Sequence, residues 1–250
     1  MIQINNISKS YSGRSIVKDI SFSFEAGKPN LIIGSSGSVK TTLIKCMVGL
    51  VEPDTGEVLF NGRSFSHLDD DQQKEIRKEI GMLFQGGALF DSKTVEENIM
   101  FPLSMFTNLN HSEKLDRANF CLKRVNIENA NGLYPSELSG GMKKRVAIAR
   151  AIAVQPKYLF CDEPNSGLDP KTAVVIDNLI KEITEEYGIT TVVITHDMNS
   201  VIEMGENVMF IHKGLNWWKG KKEDILHSDN KEVDDFVYAA TFMKRLKSKL

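Results

Sequence analysis

No stretch of this 250-residue chain approaches the roughly 18 uninterrupted apolar residues that a membrane helix needs. Its first residues, MIQINNISKSY, lack the charged-then-apolar order of a secretory signal. Cysteine is scarce. Cys46, Cys121 and Cys161 are odd in number and far apart, which suits neither a disulfide framework nor a zinc site. A reducing cytosol is the expected compartment. An excess of either charge is also missing: 31 Lys and Arg stand against 33 Asp and Glu, a net charge of -2. That leaves no basic footprint for DNA or RNA. Internal repeats and low-complexity linkers are absent. A role at a membrane therefore has to run through a partner protein.

What is present is a normal globular composition, 41% hydrophobic, enough for a sizeable core. Residues 2–7 and 20–24 alternate apolar and polar as half-buried strands do. Leu31–Ile33 is a short apolar run ending in a Gly/Ser cluster, and Leu43, Met47 and Leu50 then show helical spacing. Tyr158–Cys161 and Thr190–Thr195 read as buried strands around a helix from Pro170 to Tyr187. Strands alternating with helices predict an α/β fold with a parallel sheet. The middle, about 86–155, reads mainly helical, with a break at Pro102 and a helix from about Met142 stopped by Pro156. It is expected to be a helical subdomain inserted into the α/β core.

Gly34-Ser35-Ser36-Gly37-Ser38-Val39-Lys40-Thr41-Thr42 lies between a strand and a helix, where a phosphate loop, G-x-x-x-x-G-K-[ST], would sit. Its backbone N–H groups and the helix N-terminus would hold phosphates. Lys40 would reach the β- and γ-phosphates and the Thr41 hydroxyl would ligate Mg²⁺. The second glycine of the pattern is here Val39. A strained backbone angle at that position would cost roughly 1–3 kcal/mol. A Gly/Ser turn before an ordinary helix is the alternative. The strand Tyr158–Cys161 ends in Asp162 and Glu163, at the strand end where α/β folds place ligands. Asp162 would hold Mg²⁺ through water and Glu163 would act as general base; an acidic turn after a strand is the plain alternative.

Leu138-Ser139-Gly140-Gly141-Met142, followed by Lys143, Lys144, Arg145 and by Ala149-Arg150-Ala151, resembles the signature of the ABC ATPases. Together with the phosphate loop and the Asp-Glu pair, the order resembles that family over about residues 2–228. The resemblance implies a P-loop NTPase core with a parallel sheet, an N-terminal antiparallel β subdomain and an inserted helical subdomain. It implies ATP and Mg²⁺ as cofactors. Tyr11 matches the ring stacked on adenine, Gln85 the glutamine that contacts Mg²⁺ and water, Asp169 the loop crossing a dimer interface, and His196 the histidine at the γ-phosphate. Ser139, Gly140 and Gly141 match the signature that grips the γ-phosphate bound by a second copy. Implied partners are that second copy and a transmembrane permease, with the chain on the cytoplasmic face of the cell or inner membrane.

The segment Ile80–Leu103, which contains Gly86-Gly87-Ala88-Leu89-Phe90-Asp91, resembles the ATPases of the Mla type that work with MCE-domain lipid-binding proteins. That branch implies phospholipid cargo, an MCE-domain protein and an accessory subunit. The alternative is a nucleotide-binding subunit whose hydrolysis Val39 impairs. A soluble ABC protein of translation or DNA repair is the weaker third, since one cassette is present and no coiled-coil or zinc insertion is visible. The tail 229–250 is expected to be helical, either as an ordinary end with Lys244, Arg245, Lys247 and Lys249 in solvent or as a docking segment.

Overall fold

The alternation at residues 2–7 and 20–24 extends into two long strands, β1 (Ile2–Tyr11) and β2 (Arg14–Phe24). A computed structural model of the chain describes residues 1–238 apart from Ser36; of Ser38 it describes the backbone alone. The chain continues through β3 (Pro29–Ile33), α1 (Ser38–Met47), β4 (Thr55–Phe60), β5 (Arg63–Ser64), α2 (Asp70–Lys78) and β6 (Ile80–Leu83). Three helices follow: α3 (Val95–Phe106), α4 (His111–Arg124) and α5 (Gly140–Ile152). Then come β7 (Tyr158–Asp162), α6 (Pro170–Tyr187), β8 (Thr190–Thr195), α7 (Met198–Met204), β9 (Asn207–His212), β10 (Leu215–Lys221) and α8 (Lys231–Val237).

Two sheets result. One is antiparallel, in the order β2-β1-β4-β5. The other runs β10-β9-β3-β8-β7-β6, parallel except for β10. This is the expected P-loop NTPase architecture, with α3, α4 and α5 inserted between two strands that are neighbours in the parallel sheet and packed on one another. Alternate residues of the parallel strands feed two cores. Leu31, Ile33, Leu159, Cys161 and Val193 face α3–α7, while Ile32, Phe160, Val192 and Ile194 face α1 and the antiparallel sheet. A sheet buried on both faces accounts for strands that read as apolar runs rather than alternating ones.

The limits of α6 and β8 fall where the sequence puts them. The helix after the signature begins two residues before Met142, because Ser139 caps it: its hydroxyl accepts from Met142 N at 3.3 Å. The expected break at Pro102 does not occur. α3 runs through it; proline deletes one backbone bond, while Ile99, Met100 and Leu103 are buried along the same helix. α1 stops before Leu50, where Gly49 takes a left-handed φ of 73°. Of the tail, α8 buries Val233 and Val237 in the main core; residues 239–250, with the four basic side chains, lie outside the described residues.

Candidate functional site

The carboxyl ends of β6, β7, β8 and β3 stand side by side, with Leu83 paired to Cys161, Asp162 to Ile194 and Ile33 to Thr195. The loops leaving them carry Gln85, Asp162 and Glu163, His196, and the 34–42 loop. Sheet topology thus gathers four segments spread between Gly34 and His196 into one row.

Gly34 turns the chain out of β3 with φ 146°, and a side chain there would run into the Ile211 carbonyl oxygen of β9. Gly37 caps α1 without a side chain, and the first turn of α1 carries no acidic residue. Its free N–H groups and dipole therefore favour an anion. Lys40 is buried. Its Nζ donates to the Gly34 and Ser35 carbonyls, both at 2.9 Å. Burial holds the ammonium below the usual lysine range, opposed by the carboxylates of Glu163 and Asp162. Thr42 is buried on the same helix and Thr41 half-buried.

Asp162 is buried and its Oδ1 has no hydrogen-bond partner. Burial and then Glu163 push its carboxyl up, while the Thr41 hydroxyl, Lys40 and Lys45 pull it down. An unpartnered carboxylate oxygen beside a threonine hydroxyl is the donor set a hard cation uses. Among the described residues no group of three or more His, Cys, Asp or Glu could hold a metal by itself.

Glu163 is buried at a left-handed φ of 50°, a conformation that costs a non-glycine residue about 1–3 kcal/mol. Its N–H donates to the Ile194 carbonyl at 3.0 Å and its carbonyl accepts from Ser166 N at 3.2 Å. His196, just past β8, places Nδ1 2.6 Å from Glu163 Oε2. The approach is close but lacks hydrogen-bond alignment, since Oε2 has no hydrogen-bond partner. Gln85 has an exposed side chain, and its carbonyl accepts from Lys144 Nζ.

Ser139 and Gly140 are exposed, and no hydrogen bond among the described residues joins them to the 34–42 loop. At Gly141 a Cβ would lie 2.7 Å from Thr172 Cγ2 on α6, so a larger residue would have to displace that methyl. Asp169 caps α6, accepting from Thr172 N at 3.1 Å and from the Thr172 hydroxyl at 2.6 Å, with Pro170 as the first helical residue. Tyr11 is exposed at the end of β1, with Lys9 Nζ 5.8 Å from its ring centroid. Ser36 lies outside the described residues. Val39 lies in the first turn of α1 and has no left-handed backbone. The strain anticipated for it therefore does not arise. Its methyls pack with Ile16 against the core and line a cleft with Arg14, Ser15 and Gly37.

Two features escaped sequence reasoning. One is Lys144, a lysine on the buried face of α5; its spacing to Ala147, Ile148 and Ala151 is the signal that could have found it. The other joins the segment after Glu163 to α6 and α7. Asn165 Nδ2 donates to Ser200 Oγ at 2.7 Å and to Asp177 Oδ2 at 3.4 Å. Burial pushes the Asp177 carboxyl from 3.8 up to about 6, and Asp197 and Glu203 add to the rise. Because the folded state holds this proton more tightly, the group costs nothing below about pH 3.8, and stability is lost as pH rises to about 6. The loss at pH 7 is up to roughly 3 kcal/mol. Asp177→Asn should raise the melting temperature at pH 7 by several degrees and flatten its dependence between pH 4 and 6. Thermal unfolding across that range checks this, and an unchanged profile contradicts it.

Residues 17–166 match the family model described as ABC transporter. A methionine import ATP-binding protein, MetN 1, of Oceanobacillus iheyensis is 40% identical over 243 residues, covering 95% of this chain and 72% of the relative. MetN of Clostridium acetobutylicum is 38% identical over 237 residues, covering 95% and 74%. Among solved structures, the ATP-binding cassette MJ0796, described as dimeric and bound to ADP and Pi, superposes with a TM-score of 0.81 at 34% identity, covering 89% of this chain and 99% of that one. CbiO1 of Clostridium perfringens, part of the ABC transporter complex cbiONQ, gives 0.83 at 28% identity, covering 98% of both. A phosphate loop, an Asp-Glu pair two strands away in the same sheet and these matches lead to one conclusion: the chain belongs to the ABC transporter family, as an ATP-binding subunit that hydrolyses ATP.

Proposed function

We propose that two copies of this chain close on ATP and that hydrolysis drives a membrane permease. The observation that carries the reading is a split site: Lys40, Asp162 and Glu163 converge at one strand end, while Ser139 caps an exposed helix N-terminus elsewhere on the same chain. The second element serves a nucleotide held by the other copy, as the dimeric form described for MJ0796 supports. Tyr11 stacks on adenine. The amides of residues 34–42 and Lys40 hold the β- and γ-phosphates, and Ser139, Gly140 and Gly141 of the other copy close over the γ-phosphate. Thr41 and Asp162, with the Gln85 amide, would hold Mg²⁺, which when bound neutralises charge on the phosphate oxygens. Glu163 takes a proton from the attacking water as it bonds to the γ-phosphorus and the β–γ bridge breaks, giving ADP and phosphate. His196, beside Glu163, meets the γ-phosphate with its other nitrogen. Asp169 lies at the seam between copies.

No helix among the described residues is long and apolar enough to cross a membrane; in this reading translocation is the permease's part. Phe84 and Phe90 are exposed beside Gln85 in sequence, Arg150 lies over the Phe90 ring, and Phe90 packs on Phe101 of α3, whose end exposes Met105 and Phe106. This apolar surface suits a permease helix. For the cargo, the names of the relatives support import of a small solute such as methionine. Phospholipid transport with an MCE-domain protein rests on the resemblance of the Ile80–Leu103 and Pro135–Met142 segments, and none of the names above carries it. Purification of the chain from detergent-solubilised native membranes should bring down a multi-helix permease. A solute-binding protein beside it favours the importer and an MCE-domain protein favours phospholipid. Recovery of the chain with no permease contradicts the motor reading.

A further inference from the structure

A lysine on the buried face of a helix is a costly choice. Lys144 is 6% exposed, among the core residues of α5. Its Nζ donates to the Gln85 carbonyl and, at 3.3 Å, to the Glu163 carbonyl. Burial holds the ammonium below the usual lysine range, with Cys161, Asp162 and Glu163 opposing. An apolar side chain of the same length would fill this space at least as stably, because a buried charge bound only to carbonyls recovers little of its hydration. The two carbonyls are not equivalent bystanders. One belongs to the exposed segment just past β6, the other to a residue whose left-handed backbone, φ 50°, sets the direction of its carboxylate.

We propose that Lys144 is a positioning residue for hydrolysis: its ammonium clamps the Gln85 and Glu163 backbones together, so that the Glu163 carboxylate is aimed only while the Gln85 segment is seated. The signature helix, the Gln85 segment and the general base then move as one unit. This rests on Glu163 being the base, and the test separates the two claims.

The test is single-turnover hydrolysis by the full chain with Lys144→Met, Lys144→Gln, Glu163→Gln and the double variant Lys144→Met/Glu163→Gln. Lys144→Met should lower the rate at saturating ATP about tenfold, with the ATP concentration for half-maximal rate within about twofold of wild type. Lys144→Gln, which keeps an N–H donor for one carbonyl, should recover part of the rate. If the Met variant does not fold, the Gln variant carries the test, with a rate below wild type and unchanged half-saturation. In the Glu163→Gln background, Lys144→Met should cost nothing further. A wild-type rate in Lys144→Met beside an inactive Glu163→Gln overturns the clamp alone. So does an equal fall in both backgrounds, or an effect confined to half-saturation. A fully active Glu163→Gln overturns the base assignment and the clamp together.

Discussion

Replacing Glu163 with glutamine should lower ATP turnover by about 10²–10⁴-fold while leaving ATP binding within about twofold. The substitution keeps the shape of a buried side chain and leaves the bonds from its backbone to Ile194 and Ser166 in place. What it removes is the acceptor for the water's proton. It also removes one of the two carboxylates facing Lys40, so triphosphate meets less repulsion and affinity should hold or rise. Rapid-quench hydrolysis and a nucleotide-binding titration on the same sample separate the two quantities. Turnover within about threefold of wild type would remove Glu163 from the base role.

Val39→Gly should raise turnover and ATP affinity together. The cause is not relief of backbone strain, because Val39 already sits in the first turn of α1. Its side chain lines the cleft that Gly37 and Ser15 also line, one residue before Lys40. Glycine clears that cleft. It also gives up the packing of Val39 with Ile16 on the core, and glycine in a helix costs about 1 kcal/mol. The variant should therefore melt lower while working faster. This opposition of sign distinguishes a steric block from general damage. Equal turnover and affinity in both forms would show that the loop tolerates valine, and with it would go the reading of an impaired subunit.

Much of the fold was legible because apolar runs and caps agree with it locally. Pro170 and Gly188 bracket α6, and the apolar strand Thr190–Thr195 stands as read. Pro102 misled because a single lost backbone bond is a small term beside three buried apolar side chains on the same helix. At the site, the phosphate loop and the Asp-Glu pair could be read from spacing, since each is contiguous in sequence. The links between them could not. Lys144 meets Gln85 and Glu163 across 59 and 19 residues; its spacing to Ala147, Ile148 and Ala151 puts it on the buried face of α5, but nothing in the sequence names the two carbonyls it meets. Asp177 looks like one of many acidic positions on a solvated helix; only the packing of α6 against α7 shows it beside Ser200. Gly141 reads as room for a ligand; that it also makes room for Thr172 shows only in the folded chain.

Hydrolysis on this mechanism requires nucleotide held between two copies, by the Lys40 loop of one and the Ser139 cap of the other. The most direct measurement is the mass of the Glu163→Gln variant in solution by light scattering, with and without saturating ATP and Mg²⁺. The expected result is a monomer that becomes a dimer when ATP is added and returns to monomer when it is withdrawn. A variant that binds ATP to saturation and stays monomeric would contradict it.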